Sequence, residues 1–284
     1  MTEQNGEQTV KKEKKKGAPA HLVMVNLLEK IVCFFQKKMT VGLLEFAVNW
    51  LYKIGHFGLL VAAALGFLFT MVFAIKFNTF NPFLTGVAWV ILVFVVQYTA
   101  HRFSDAGEGL IRNNPTKLSS KAFLDCLGFL AMIGGVVFLI MSIVRAIQIE
   151  SFAEFLFGLG IFLLLEFLAL IAFNPSTVSV EVTEGTSAGK EAIGIITFFL
   201  KGAMRLIPIF FGVGVVIGTV LLFLSFLKLF GDQAGYAMGM GSQNATYILF
   251  SGLLPFASYI FFVLYYLVID MIRAILSIPE LKNK

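Results

Sequence analysis

Residues Gly66–Lys76 read GFLFTMVFAIK, and the same frame returns twice, as GVVFLIMSIVR at Gly135–Arg145 and GTVLLFLSFLK at Gly218–Lys228. In each, a cation stands ten residues after a glycine and closes an uncharged run. The shift of 69 that carries Gly66 to Gly135 also carries Lys76 to Arg145, Phe69 to Phe138, Phe83 to Phe152, Gln97 to Glu166 and Ala100 to Ala169. The next shift, Gly135 to Gly218, is 83, so the segment between the second and third frames is longer. This pattern predicts an internal repeat of three units, each a helical hairpin entering from the same side.

The composition agrees with that reading. The chain is 58% hydrophobic with 32 Phe in 284 residues, more apolar surface than a soluble domain of this length buries. A helix of about 20 residues crosses a hydrocarbon core of about 30 Å. Phe57–Ile75, Phe77–Ala100, Cys126–Val144 and Leu206–Leu227 are uncharged runs of that order, Phe155–Val180 is interrupted by Glu166 alone among charged residues before Val180, and Gln233–Ile269 holds a connection plus a span. The expected fold is an all-α polytopic membrane protein. Its six transmembrane helices form three tandem same-orientation hairpins, about 57–103, 126–173 and 206–273, within a domain of residues 56–284.

The ends are read from charge. Residues 1–20, with KKEKKK, predict a disordered basic tail that lacks the apolar core of a signal peptide. Residues 21–55 break their apolar runs with charge too often to span, and they predict interfacial amphipathic helices, with Trp50 and Tyr52 at headgroup level. If the tail is cytoplasmic, 19 of the 22 Lys and Arg fall inside, and only Lys76, Arg145 and Lys228 fall outside. The expectation is a multi-pass protein of the plasma or bacterial inner membrane with both termini cytoplasmic. The expected partners are the bilayer, with anionic lipid held through the basic N-terminus, and a protein partner or second copy, but not nucleic acid.

Between the second and third frames lies EGTSAGKEAIG, Glu184–Gly194, which imitates a phosphate-binding loop. Gly185 and Gly189 enclose three residues rather than four, and Glu191 stands where a hydroxyl would reach Mg²⁺, so the nucleotide reading fails. A loop of about 174–205 is expected instead, with an interfacial helix over Glu191–Arg205. TVSVEV before it reads equally as a short strand or a loop, and Asn114-Pro115 and Asn174-Pro175 each end a helix. Cys33, Cys126, His21, His56 and His101 have no metal-ligand spacing, and no nucleophile has a base beside it. Neither an enzyme nor a cofactor is expected.

A few residues stand out. Glu166 lies well inside the fourth span, where a charged carboxylate costs at least about 2.5 kcal/mol, so Gln97 and Glu166 form a candidate intramembrane polar site. The alternative is a pair of interhelical hydrogen bonds. Lys76, Arg145 and Lys228 could form an outer cationic ring if the hairpins surround one axis; otherwise they snorkel to headgroups. Gly66, Gly135, Gly214 and Gly218 predict close helix packing. GDQAGYAMGMGSQNAT, Gly231–Thr246, reads as a flexible connection, and Tyr265, Tyr266, Asp270 and Arg273 as anchors at the end of the sixth span. Two functional readings follow: a small channel or transporter, taken first, and a membrane-embedded scaffold or assembly subunit.

Overall fold

The computed structural model describes Glu29, Lys30, Phe34 and residues 41–183, 185, 187–231 and 234–282, with backbone alone for Leu43, Ala234 and 276–282. The basic tail at 1–20 and most of the interfacial stretch before Val41 lie outside the described residues. The chain divides into two units, Met1–Met39 and Thr40–Lys284. In the first, Glu29, Lys30 and Phe34 are helical.

The second unit runs α1 (Val41–Lys76), α2 (Asn81–Asn113), β1 (Thr116–Leu118), α3 (Lys121–Gln148), α4 (Phe152–Phe173), a 3-10 turn (Pro175–Val178), β2 (Val180–Val182), α5 (Ala188–Lys228) and α6 (Ala234–Lys282). All six α-helices are long and apolar enough to cross a membrane. The protein is an all-helical, multi-pass membrane protein.

Three boundaries differ from the sequence reading. Of the stretch expected at the interface, residues 41–55 form no separate helix, because α1 passes through them without a break. Leu44 and Val48 are buried there, and Gly55 and Gly58 let Phe211 and Val215 of α5 approach, so bundle packing sets the direction of the helix. Glu191–Arg205 is likewise continuous with the span after it, through Pro208. A proline inside a helix removes a hydrogen bond, which spans tolerate where neighbouring helices hold the backbone. Finally, the glycine-rich connection is helical from Ala234. Gly241 lies against the Phe69 ring, Ala237 is buried with Phe69 and Leu229, and Asn244 Nδ2 donates to Leu221 O (3.1 Å) and Ser225 Oγ (2.9 Å). These contacts outweigh the poor helix propensity of glycine, about 1 kcal/mol per residue.

Four helices close into a bundle: α1 packs on α2 and α5, and α6 packs on α2 and α5. Its core is Leu59, Ala62, Ala63, Val93, Val96, Ala100, Phe211, Val215, Leu222 and Ile248. Helix α3 packs on α4, and α4 meets α1 and α5 only lightly. The three hairpins therefore do not surround one axis; the first and third make the bundle, and the second stands beside it.

The second hairpin is tied on at one end, here called the base. There β1 and β2 pair in parallel, Thr116 opposite Val180 and Leu118 opposite Val182. Asn114 and Asn174 cap α2 and α4 alike, each donating its side-chain amide four residues back, to Leu110 O (2.8 Å) and Leu170 O (3.0 Å). Lys201 of α5 enters between these crossovers with no exposed surface, and its ammonium donates to the carbonyls of Asn114 and Ser179. Glu191, in the first turn of α5, accepts from Ser119 N (2.7 Å), Ser119 Oγ (2.6 Å) and Ser120 N (2.8 Å) at the start of α3. A cation thus sits at helix C-termini and an anion at a helix N-terminus, each favoured by the helix dipole.

Candidate functional site

Two polar stripes face each other across the α1–α2 contact. On α1 they are Glu45, Asn49, Tyr52 and His56, and on α2 Gln97, His101, Asp105 and Glu108. Both follow the three-and-four spacing that keeps side chains on one face of a helix. The antiparallel pairing is direct: Gln97 Nε2 donates to His56 O (3.2 Å), and Tyr52 OH lies 2.8 Å from His101 Nδ1. Asp105 Oδ2 lies 3.7 Å from the same imidazole nitrogen.

Toward the base the stripes diverge around a cavity of about 190 Å³, lined by Glu45, Asn49, Tyr52, Asp105, Glu108 and Arg205 among others. Helix α5 contributes Arg205 and Pro208, and α6 contributes Pro255. None of the residues of the bundle core lines this cavity; Tyr52 in its wall adjoins an aromatic layer, where the Phe211 ring stands 5.0 Å from His56 and 6.0 Å from Tyr52. Beyond that layer lies the apolar core of the bundle.

Arg205 is the pivotal side chain. Only 14% of it is exposed, and its Nη1 pairs with Glu108 Oε1 at 3.1 Å, while Glu108 itself is 66% exposed. Arg205 Nε is buried with no hydrogen-bond partner among the described residues. On the other side of the Arg205–Glu108 pair a second cavity of about 260 Å³ opens, lined by Glu45, Glu108 and Arg205 again and by Arg112, Ser176 and Ser179. One ion pair therefore forms a wall shared by two polar cavities.

The residues singled out from sequence are distributed differently. Gln97 faces α1 inside the bundle, whereas Glu166 of α4 lies near Gly135 of α3, in the other hairpin. The structure does not bring them together. Lys76 and Lys228 do meet around the α5–α6 connection: Lys76 Nζ donates to Leu229 O (2.8 Å), and Lys228 lies over the Tyr236 ring at 5.8 Å. Arg145 is held apart, on the second hairpin, by Glu154 at 3.1 Å. Gly66 lies against the Trp89 indole, Gly135 against Leu165, Gly214 against Ser251 and Gly218 against Ile248, in each case on the second helix of its own hairpin. Arg273 Nη1 is 3.5 Å from Asp270 Oδ1, and Tyr265 and Tyr266 stack on Phe261 and Phe262.

Sequence reasoning missed the base cavities. The signal was available: polar residues at helical spacing near the start of α1, matched by polar residues at the same spacing near the end of α2. No protein-family model, curated protein or solved structure matches the chain, so its function is argued from this geometry alone.

Proposed function

We propose that the chain is a non-conducting, membrane-embedded scaffold or assembly subunit. The observation that carries this reading is the interior of the bundle. Leu59, Ala62, Val93, Val96, Phe211, Val215, Leu222 and Ile248 fill it, and none of them lines the cavity at the base. A conduit needs polar groups or water along its length to replace the hydration of what it carries. Gln97 gives its amide to a backbone carbonyl, and Glu166 belongs to the other hairpin, so the two form no continuous lining.

The second hairpin supports an assembly role. It is fastened through the base, and along α3 it leaves Leu130, Ile140, Met141 and Ile147 exposed for acyl chains or another protein. Under this reading the base faces the cytoplasm, and the asymmetry of Lys and Arg supports that orientation.

Thiol accessibility tests it. In a protein without Cys33 and Cys126, single cysteines replace Asn49, Ala62, Val96 and Val215, and membranes are treated with an impermeant thiol reagent from each side. Labelling at position 49 from one side, with 62, 96 and 215 protected from both, is the expected result. Labelling at the three deep positions in folded protein would overturn it. Cross-linking in native membranes should also yield a defined species larger than the single chain; a single chain alone would count against assembly.

A further inference from the structure

We propose that the two adjoining cavities at the base form one binding site for an aminoalkyl phosphate, the chemistry shared by a zwitterionic phospholipid headgroup and free phosphoethanolamine. Each cavity has its own balance of charge. The first presents Glu45, Asp105 and Glu108 against Arg205 alone, so a lone anion entering it meets three carboxylates and one guanidinium. The second shares Glu45, Glu108 and Arg205 but lacks Asp105 and adds Arg112 with the Ser176 and Ser179 hydroxyls, so its charges balance and it is the better of the two for an anion. A ligand with both charges places its cation in the first cavity and its anion in the second.

The shared wall sets the polarity. Arg205 has five donors in a rigid fork; one meets Glu108, and the buried Nε is unpartnered. Phosphate oxygens match that fork, and the Ser176 and Ser179 hydroxyls line the same cavity. On the other face, an ammonium would lie among Glu45, Asp105 and Glu108, beside the Tyr52 ring, which attracts cations through its π-face.

Size narrows the class further. At about 190 Å³ and 260 Å³ the cavities are smaller than most sites for drug-sized molecules, which run about 300–1,000 Å³. They suit a headgroup and leave acyl chains outside, along the apolar helix surfaces.

The test uses the full chain, delipidated in a nonionic detergent, and titrated calorimetrically with dihexanoyl phosphatidylethanolamine, dihexanoyl phosphatidylglycerol and free phosphoethanolamine. Phosphatidylethanolamine should bind, and phosphatidylglycerol, which keeps the phosphate and lacks the ammonium, should bind about tenfold more weakly. Arg112→Gln should weaken both lipids, whereas Asp105→Asn should weaken phosphatidylethanolamine and erase the preference for it. Both side chains are exposed, and the thermal midpoint of each variant reports folding; Glu45→Gln reads the same acidic wall if Asp105→Asn lowers that midpoint. Phosphoethanolamine binding as tightly as the lipid assigns the site to a soluble ligand, and weaker binding assigns it to the membrane; both uphold the chemistry. Equal binding of the two lipids to the unaltered protein, binding of none of the three ligands, or variants that bind as the unaltered protein does would overturn the proposal.

Discussion

Lys201 Nζ donates to the carbonyl oxygen of Ser179 at 3.1 Å, from a side chain with no exposed surface. Ser179 adopts a left-handed backbone conformation (φ 52°), and its carbonyl also accepts from Thr116 N at 3.0 Å. One cation therefore binds α5 to both crossovers, since the same ammonium reaches Asn114 O.

Lys201→Met should destabilise the protein, because the part-buried Asn114 carbonyl loses this donor and that of Ser179 keeps only Thr116 N. Each unmet group costs about 1–3 kcal/mol. Thermal unfolding followed by size-exclusion in detergent measures the loss, and a midpoint equal to that of the unaltered protein would remove Lys201 from its place in the fold.

Glu191→Gln should loosen the start of α3. The carboxylate accepts two backbone amides and a hydroxyl, and bonds to an ionised acceptor contribute about 1.5–3 kcal/mol each. An amide retains one acceptor oxygen and loses the charge. Hydrogen exchange at the Ser119 and Ser120 amides should quicken, while exchange within the four-helix core stays unchanged.

The glycines separate into two groups by what surrounds them. A Cβ at Gly218 would meet the Ile248 side chain at 2.7 Å, whereas one at Gly134 has no neighbouring atom within 4 Å. Gly218→Leu should therefore cost about 1–3 kcal/mol through overpacking. Gly134→Leu should be neutral, and a helix-pair cross-linking series along α5 and α6 locates the damage.

Glu166 offers the opposite sign. It is half-buried on α4, with no hydrogen bond or ion pair to another described residue. Replacing an intramembrane carboxylate by an apolar side chain of similar length removes a desolvation cost of at least about 2.5 kcal/mol. Glu166→Leu should leave stability equal or raised; a clear loss would mean the carboxylate has a partner in an assembly.

Much of the architecture is written locally. The length of an uncharged run decides whether a helix can cross a membrane, and all six runs behind the span assignment became helices of that capacity. Helix ends were less legible. Amphipathic charge near Glu45 and Lys53 looked like an interfacial segment, yet α1 continues through it because Leu44 and Val48 find partners across the bundle. The glycine-rich stretch after Gly231 looked like a loop, yet Gly241 and Asn244 find Phe69 and Ser225.

By itself, the sequence determined that this is a six-helix membrane protein, because hydropathy and span length are properties of a single segment in its solvent. Only the tertiary structure decided which hairpins form the bundle, that Gln97 and Glu166 stay apart, and that Arg205 stands between two polar cavities. Those outcomes depend on side chains as far apart in sequence as Glu108 and Arg205, or Lys201 and Asn114, and no local pattern records which distant partner will satisfy a buried charge.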